Sequence, residues 1–261
     1  MRIQLVKGAE VDETGLVELT ANYIKGQLEQ RAEHTLVDEN PDVLHVVGAL
    51  ERTSMAVIRQ QRKRHIAFVY TPVTALTPWN TPSSASVKMA REANILVSSG
   101  EMEHTLLEGK TNQEQRLIKT TVSTATTTDE EMMTAYNEIY SKAYAINEAE
   151  LQKVVKEKIA LLNEENTTIT NLCEKLLYAQ LLYQRRNIPL RYLQELTEYM
   201  TDNDYDEDRL ASLLQLLQLD LFTQQLEYVM KEQTGLTEGF MPIIWKEDKT
   251  SKDILTTLTN Y

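Results

Sequence analysis

Four histidines, one cysteine and one run of carboxylates are the side chains here whose types could do chemistry. His34, His45, His65 and His104 all fall in the first half of the chain, and none is spaced with another as a metal pair on one helix face. No metal site is expected. The run Asp202-Asn203-Asp204-Tyr205-Asp206-Glu207-Asp208 has carboxylates at alternating positions, like the opening of a calcium loop. Counted from Asp202, however, Glu207 stands where that loop needs glycine, and Leu213 where it needs a bidentate glutamate. The run reads as a solvated loop whose Asp206 caps the next helix. Cys173 sits among Ile169, Leu172, Leu176 and Leu177 at helical spacing, so it belongs to a buried face, where the thiol is hard to ionise.

The chain has no Gly-x-Ser-x-Gly elbow, no Gly-Lys-Ser/Thr phosphate loop and no Gly-x-Gly-x-x-Gly turn. Nucleophilic and dinucleotide chemistry are therefore unsupported, no cofactor is expected, and the catalytic residues are unknown. His45, inside an apolar strand, could face a ligand at the sheet edge or be a hydrogen-bonded core histidine, and the second reading is favoured.

Short apolar runs alternate with helical spacing through the first half. Strands are predicted at Ile3–Val6, Val43–Gly48, Ile66–Tyr70, Asn94–Gly100 and Leu117–Val122, with helical patterns through Leu16–Ile24, Thr53–Arg62, Ala85–Arg91 and Met102–Leu107. That order predicts α/β architecture, a small parallel Rossmann-like sheet of about five strands with helices on its faces. Ligands in such sheets bind beyond the carboxyl ends of the strands, which here are Lys7-Gly8, Gly48-Ala49, Thr71-Pro72 and Ser98-Ser99-Gly100. The loop Thr71–Ser86 is long for a compact domain and carries Trp79, which could stack on a sugar face or plug an interface.

The Thr-rich stretch Thr120–Thr128 is the expected domain boundary, and Thr128 with Glu131 makes a capping box that would start a helix. From there apolar residues recur at helical spacing through about six segments, predicting an all-α bundle. The reading divides the chain into an α/β domain at 1–125, a helical bundle at 129–238 and an extended C-terminal tail at 239–261. The apolar tail segment Gly239–Trp245 is expected to lie across another surface of the chain or to dock on a second copy. Of the net charge of -12, residues 129–261 carry -11, with 13 Lys+Arg against 24 Asp+Glu, so nucleic acid is not an expected partner. No stretch has the ~18 apolar residues of a membrane span, and no signal peptide is read at the start, so a cytoplasmic protein is expected.

Pro41-Asp42-Val43-Leu44-His45-Val46-Val47-Gly48 looks like the Asp-Val-apolar-His strand of the N-terminal, acceptor-side domain of GT-B glycosyltransferases. Arg91-Glu92-Ala93-Asn94-Ile95-Leu96-Val97-Ser98-Ser99-Gly100-Glu101-Met102-Glu103 resembles that family's Ala-Asp-apolar-Ser-Ser strand and following helix. Leu117–Val122 falls where the family has the strand that precedes its second domain. The resemblance covers residues 1 to about 125. It implies a sugar-transfer fold whose ligands are a glycan or a nucleotide sugar.

The chain also departs from the pattern. Lys7-Gly8-Ala9-Glu10 has one glycine and an acid where the family's first turn is glycine-rich to approach phosphate, and Tyr70-Thr71-Pro72 stands where the family often has a histidine. Residues 28–42 are too few for two further strand–helix units, and the second Rossmann domain with its glutamate pair is missing. The resulting expectation is a non-catalytic or degenerate glycosyltransferase-like binding module, with a sugar-transferring enzyme or subunit as the alternative. The ligand-binding set is Lys7, Gly8, His45, Gly48, Thr71, Trp79, Ser98, Ser99 and Glu101, and the partner is a glycan, a nucleotide sugar or a protein, including another copy of the chain.

Overall fold

A computed structural model describes residues 1–10, 15–30, 32–77, 80, 84–107, 114–117 and 129–259. Its contacts divide the chain into two compact units, Met1–Ala149 and Glu150–Tyr261.

The first unit runs β1 (Arg2–Lys7), α1 (Leu16–Glu29), β2 (Thr35–Leu36), β3 (Val43–Val47), α2 (Arg52–Lys63), β4 (Ala67–Thr71), α3 (Ser84–Glu92), β5 (Ile95–Ser98), α4 (Glu101–Leu107) and β6 (Glu114–Leu117). It is completed by the start of α5 (Asp129–Ala160). The strands form one sheet in the order β2-β1-β3-β4-β5-β6, parallel throughout. Every residue of β3, β4 and β5 is buried, which is why these strands read as continuous apolar runs. Two pieces of the sheet differ from expectation. β2, only two residues long, lies in the stretch judged too short for further strand–helix units. The last strand ends at Leu117, the first residue of the predicted Leu117–Val122, whose other residues lie outside those described, as do Trp79 and the Thr-rich boundary.

Alternation along the strands sorts the core into two layers. Leu44, Val46, Phe68, Tyr70 and Leu96 face α2, α3 and α4 through Met55, Ile58, Met89, Ala90 and Leu107. Ile3, Val43, Val47, Val69, Ile95 and Val97 face the other way, against Val17, Ala21, Ile24 and Leu28 of α1. One helix cannot cover that face, and the first turns of α5 complete it with Met132, Met133, Tyr136, Ile139, Tyr140 and Ala143. The expected boundary at 125–129 is therefore displaced. It falls within one continuous helix, because the apolar stripe at the start of α5 is a cover for the sheet.

The displaced boundary changes the charge reading. Residues 1–149 hold 20 Asp+Glu and 15 Lys+Arg, and residues 150–261 hold 19 and 12, so the units carry -5 and -7. The acid is shared between the units.

The second unit packs the last turns of α5 with α6 (Thr167–Gln184), β7 (Ile188–Pro189), α7 (Leu190–Asp202), α8 (Glu207–Leu216), α9 (Asp220–Thr234), α10 (Lys249–Leu255) and β8 (Leu258–Thr259). Cys173 is fully buried in this core and its thiol is pushed up to about 12 by burial. Asp206 caps α8, accepting from the Arg209 amide at 2.9 Å. Pro189 is the cap residue before α7, where its lack of an N–H costs nothing.

Residues 239–261 are not an extended tail. Met241, Ile243 and Trp245 pack on the helical core, and the Trp245 indole donates to Glu238 at 2.9 Å beneath the Lys231 ammonium. The chain then forms α10 and returns β8 to pair in parallel with β7, Ile188 opposite Leu258. Beneath this strap lies Glu227, with no exposed surface and neither oxygen in a hydrogen bond of regular geometry. Burial outweighs weak support from the Ile243 backbone and raises its carboxyl to about 9, so it is a neutral acid at pH 7.

The shared helix gives a direct test. A fragment ending at residue 128 lacks the cover for one sheet face, and by circular dichroism and urea denaturation it should show no cooperative transition. A fragment 1–149 should fold. Equal, cooperative unfolding of the two fragments would show that α5 is dispensable to the sheet.

Candidate functional site

From β1 the chain crosses to β2 on one side, then returns past β1 to β3 and continues outward. The switch point, where doubly wound sheets open a crevice for ligands, thus lies between the carboxyl ends of β1 and β3. Lys7, Gly8 and Gly48 stand there, as the sequence placed them, but the crevice is closed. The Gly8 amide donates to the Val47 carbonyl at 2.7 Å, and Ala9 and Ala49 exchange amide-to-carbonyl bonds at 2.8 and 3.0 Å in an antiparallel bridge.

The glycines are explained by this closure. A methyl group on Gly8 would sit 2.2 Å from the Ala49 carbonyl oxygen. One on Gly48, at φ +99°, would meet Val17 Cγ1 at 2.5 Å. In related nucleotide-binding geometry the next helix offers its N-terminal amides to phosphate. In this chain Glu10 takes that place, its carboxylate accepting from Val17 N at 3.1 Å and Glu18 N at 2.7 Å. Lys7, half-exposed, is ion-paired with Glu18 at the surface, a contact that raises the lysine pKa and lowers the glutamate's.

His45 and Thr71 are brought together, one layer below the edge. The two imidazole nitrogens lie 2.9 Å from Tyr140 Oη and 2.8 Å from Thr71 Oγ1, beneath α5. The ring has no solvent exposure, and desolvation lowers its pKa to about 3. It is a neutral core histidine at physiological pH, whichever nitrogen carries the proton.

A second cluster forms where β5 ends. Ser98 Oγ lies 3.0 Å from His104 Nδ1, and Ser99 donates through both its amide and its hydroxyl to Glu103 Oε2 at 2.9 Å. Glu103 Oε1 accepts from the Thr74 amide at 2.7 Å, tying the loop after β4 to α4. Burial raises the Glu103 carboxyl pKa and these bonds oppose the rise. Glu101, the acid singled out from the sequence, is exposed in the first turn of α4, whereas Glu103 is the buried one. Its position four residues after Ser99, one helical turn on, was the signal available.

Sequence reasoning also passed over a groove in the second unit, a cleft of about 340 Å³ lined by Gln152, Asn171, Glu174, Lys175, Tyr178 and Tyr192. Among the described residues no group of three or more His, Cys, Asp or Glu gathers in a way that could hold a metal ion, and no helix is long and apolar enough to cross a membrane. Comparison of the chain with protein-family models, curated proteins and solved structures finds no match.

Two measurements check this geometry. Gly8→Ala should destabilise the fold by about 1–3 kcal/mol in urea denaturation, the cost of overpacking against a fixed backbone. Unchanged stability would mean the glycine serves ligand access instead.

His45 gives a pH dependence of defined sign. The unfolded chain takes up a proton below about pH 6.5, and the folded chain does not until about pH 3. His45 therefore lowers stability as the pH falls through this window, by ~1.4 kcal/mol per pH unit, and has no effect above it. His45→Asn should flatten that part of the profile relative to the unmodified chain. Superimposable slopes would show a histidine that protonates freely in the fold.

Proposed function

We propose that the chain is a binding or interaction module, built on a reduced glycosyltransferase-like α/β unit that does not transfer sugar. The observation that carries this reading is Glu10. Its carboxylate occupies the helix amides that would otherwise take the phosphate of a nucleotide donor, so the fold supplies its own anion. The Ala9–Ala49 bridge beside it removes the crevice the rest of the donor would need, and His45 is too deeply buried to exchange protons with an acceptor. The glycosyltransferase likeness itself rests on the strand-end residues, since a doubly wound parallel sheet serves many functions.

One observation favours the alternative of sugar transfer. Glu103 is a buried carboxyl with raised proton affinity at the strand edge, the kind of group general acid catalysis uses. Both of its oxygens are bonded to Ser99 and Thr74, however, which fits an anchor for the loop better than a proton donor.

Isothermal calorimetry of the full chain with UDP-glucose and GDP-mannose should give no saturable heat. Binding at micromolar concentration, about 8 kcal/mol of affinity, would overturn the reading and restore the enzyme.

A further inference from the structure

We propose that the groove along α6 binds a neutral saccharide of one or two rings. Asn171, Glu174, Lys175 and Tyr178 follow one another at i, i+3, i+4 and i+7, a single polar stripe opposite the buried Leu172, Cys173, Leu176 and Leu177. A polar helix face is ordinarily solvated on a convex surface. This one is walled by Gln152 of α5 and Tyr192 of α7, which turns it into a cleft of about 340 Å³, within the range of small-ligand sites.

The aromatic walls are held in place before any ligand arrives. Tyr192 donates its hydroxyl to the Lys175 carbonyl at 2.8 Å, and its ring meets Tyr178 edge-on, with centroids 5.4 Å apart. A fixed ring offers an apolar face at little entropic cost, which suits the C–H face of a pyranose. Beside the rings, the side-chain amides of Gln152 and Asn171 have no hydrogen-bond partner among the described residues. Each amide carries a donor and an acceptor, the complement of a hydroxyl, which also does both.

Charge selects among ligands. Glu174 and Lys175 offset one another, and the Lys175 ammonium is drawn over the Tyr199 ring at 5.3 Å. The groove therefore lacks the concentrated positive charge that recognises phosphate and the uncompensated acid that favours a quaternary ammonium. Rings, free amides and one carboxylate acceptor without net charge fit a neutral polyol. The inference holds whether or not the α/β unit catalyses, because every residue it uses lies in the second unit.

The test is a titration of the full chain with maltose, cellobiose and lactose, following the side-chain amide signals of Gln152 and Asn171 by NMR. Saturable shifts with at least one sugar, weakened about tenfold or more in Tyr178→Ala, are the expected result. Asn171→Ala, at an exposed position that leaves the core intact, should weaken binding likewise and decides the matter if Tyr178→Ala does not fold. No saturation with any of the three sugars up to about 50 mM, a level weaker than useful recognition, would overturn the proposal. So would binding untouched by Asn171→Ala, or a stronger response to choline or glucose 1-phosphate than to the neutral sugars. A nucleotide sugar bound in the α/β unit would leave both amide signals in place, so the two readings fail separately.

Discussion

A parallel sheet has two apolar faces, and both must be covered. In this chain three crossover helices fall on one face and a single one, α1, on the other. The deficit is met by the first five turns of α5, and much of the structure follows from that one constraint. The seating of Tyr136 and Tyr140 on the sheet sets the division of the units, carries five acidic residues into the first unit, and shuts His45 away from water. Tyr140 also provides one of the two hydrogen bonds that let an imidazole remain in an apolar core without charge.

The same economy shows at the strand edge. Positions that in a ligand-binding fold would be left open are filled by the chain itself: a backbone bridge across the switch point, a carboxylate on the first helix N-terminus, a glutamate tying two loops. Each satisfies a backbone group that would otherwise need solvent or a ligand. Glycine is present in the first turn for close approach, as in phosphate-binding loops, but what approaches is another strand of the same protein. A glycine therefore marks a close contact without saying with what.

In the helical unit the side-chain amides of Gln152 and Asn171 stand without a hydrogen-bond partner among the described residues. Its core is continuous from Leu151 to Ile254, and the strap 239–247 adds Met241, Ile243 and Trp245 to it, which leaves the outer helix faces to solvent. Where α5 and α7 rise on either side of α6, the outer face becomes concave and its amides and tyrosines converge. The unit thus offers the more open of the two surfaces described.

Much of the architecture was legible in the residues. The continuous apolar strands, the helical spacing between them, the burial of Cys173 and the cap at Asp206 all depend on neighbours within a few positions, and local periodicity reports such neighbours directly. The choice between a core and a ligand-facing role for His45 did not, because it turns on Tyr140, 95 positions away. The domain boundary was missed for the same reason: an apolar stripe states that a helix face is buried, while the surface that buries it is decided only when the chain closes. Glu10 as a helix cap, the zipped glycines, the tail that returns as α10 and β8, and the groove on α6 likewise belong to the tertiary structure. Each depends on groups distant in sequence arriving within hydrogen-bonding or van der Waals reach.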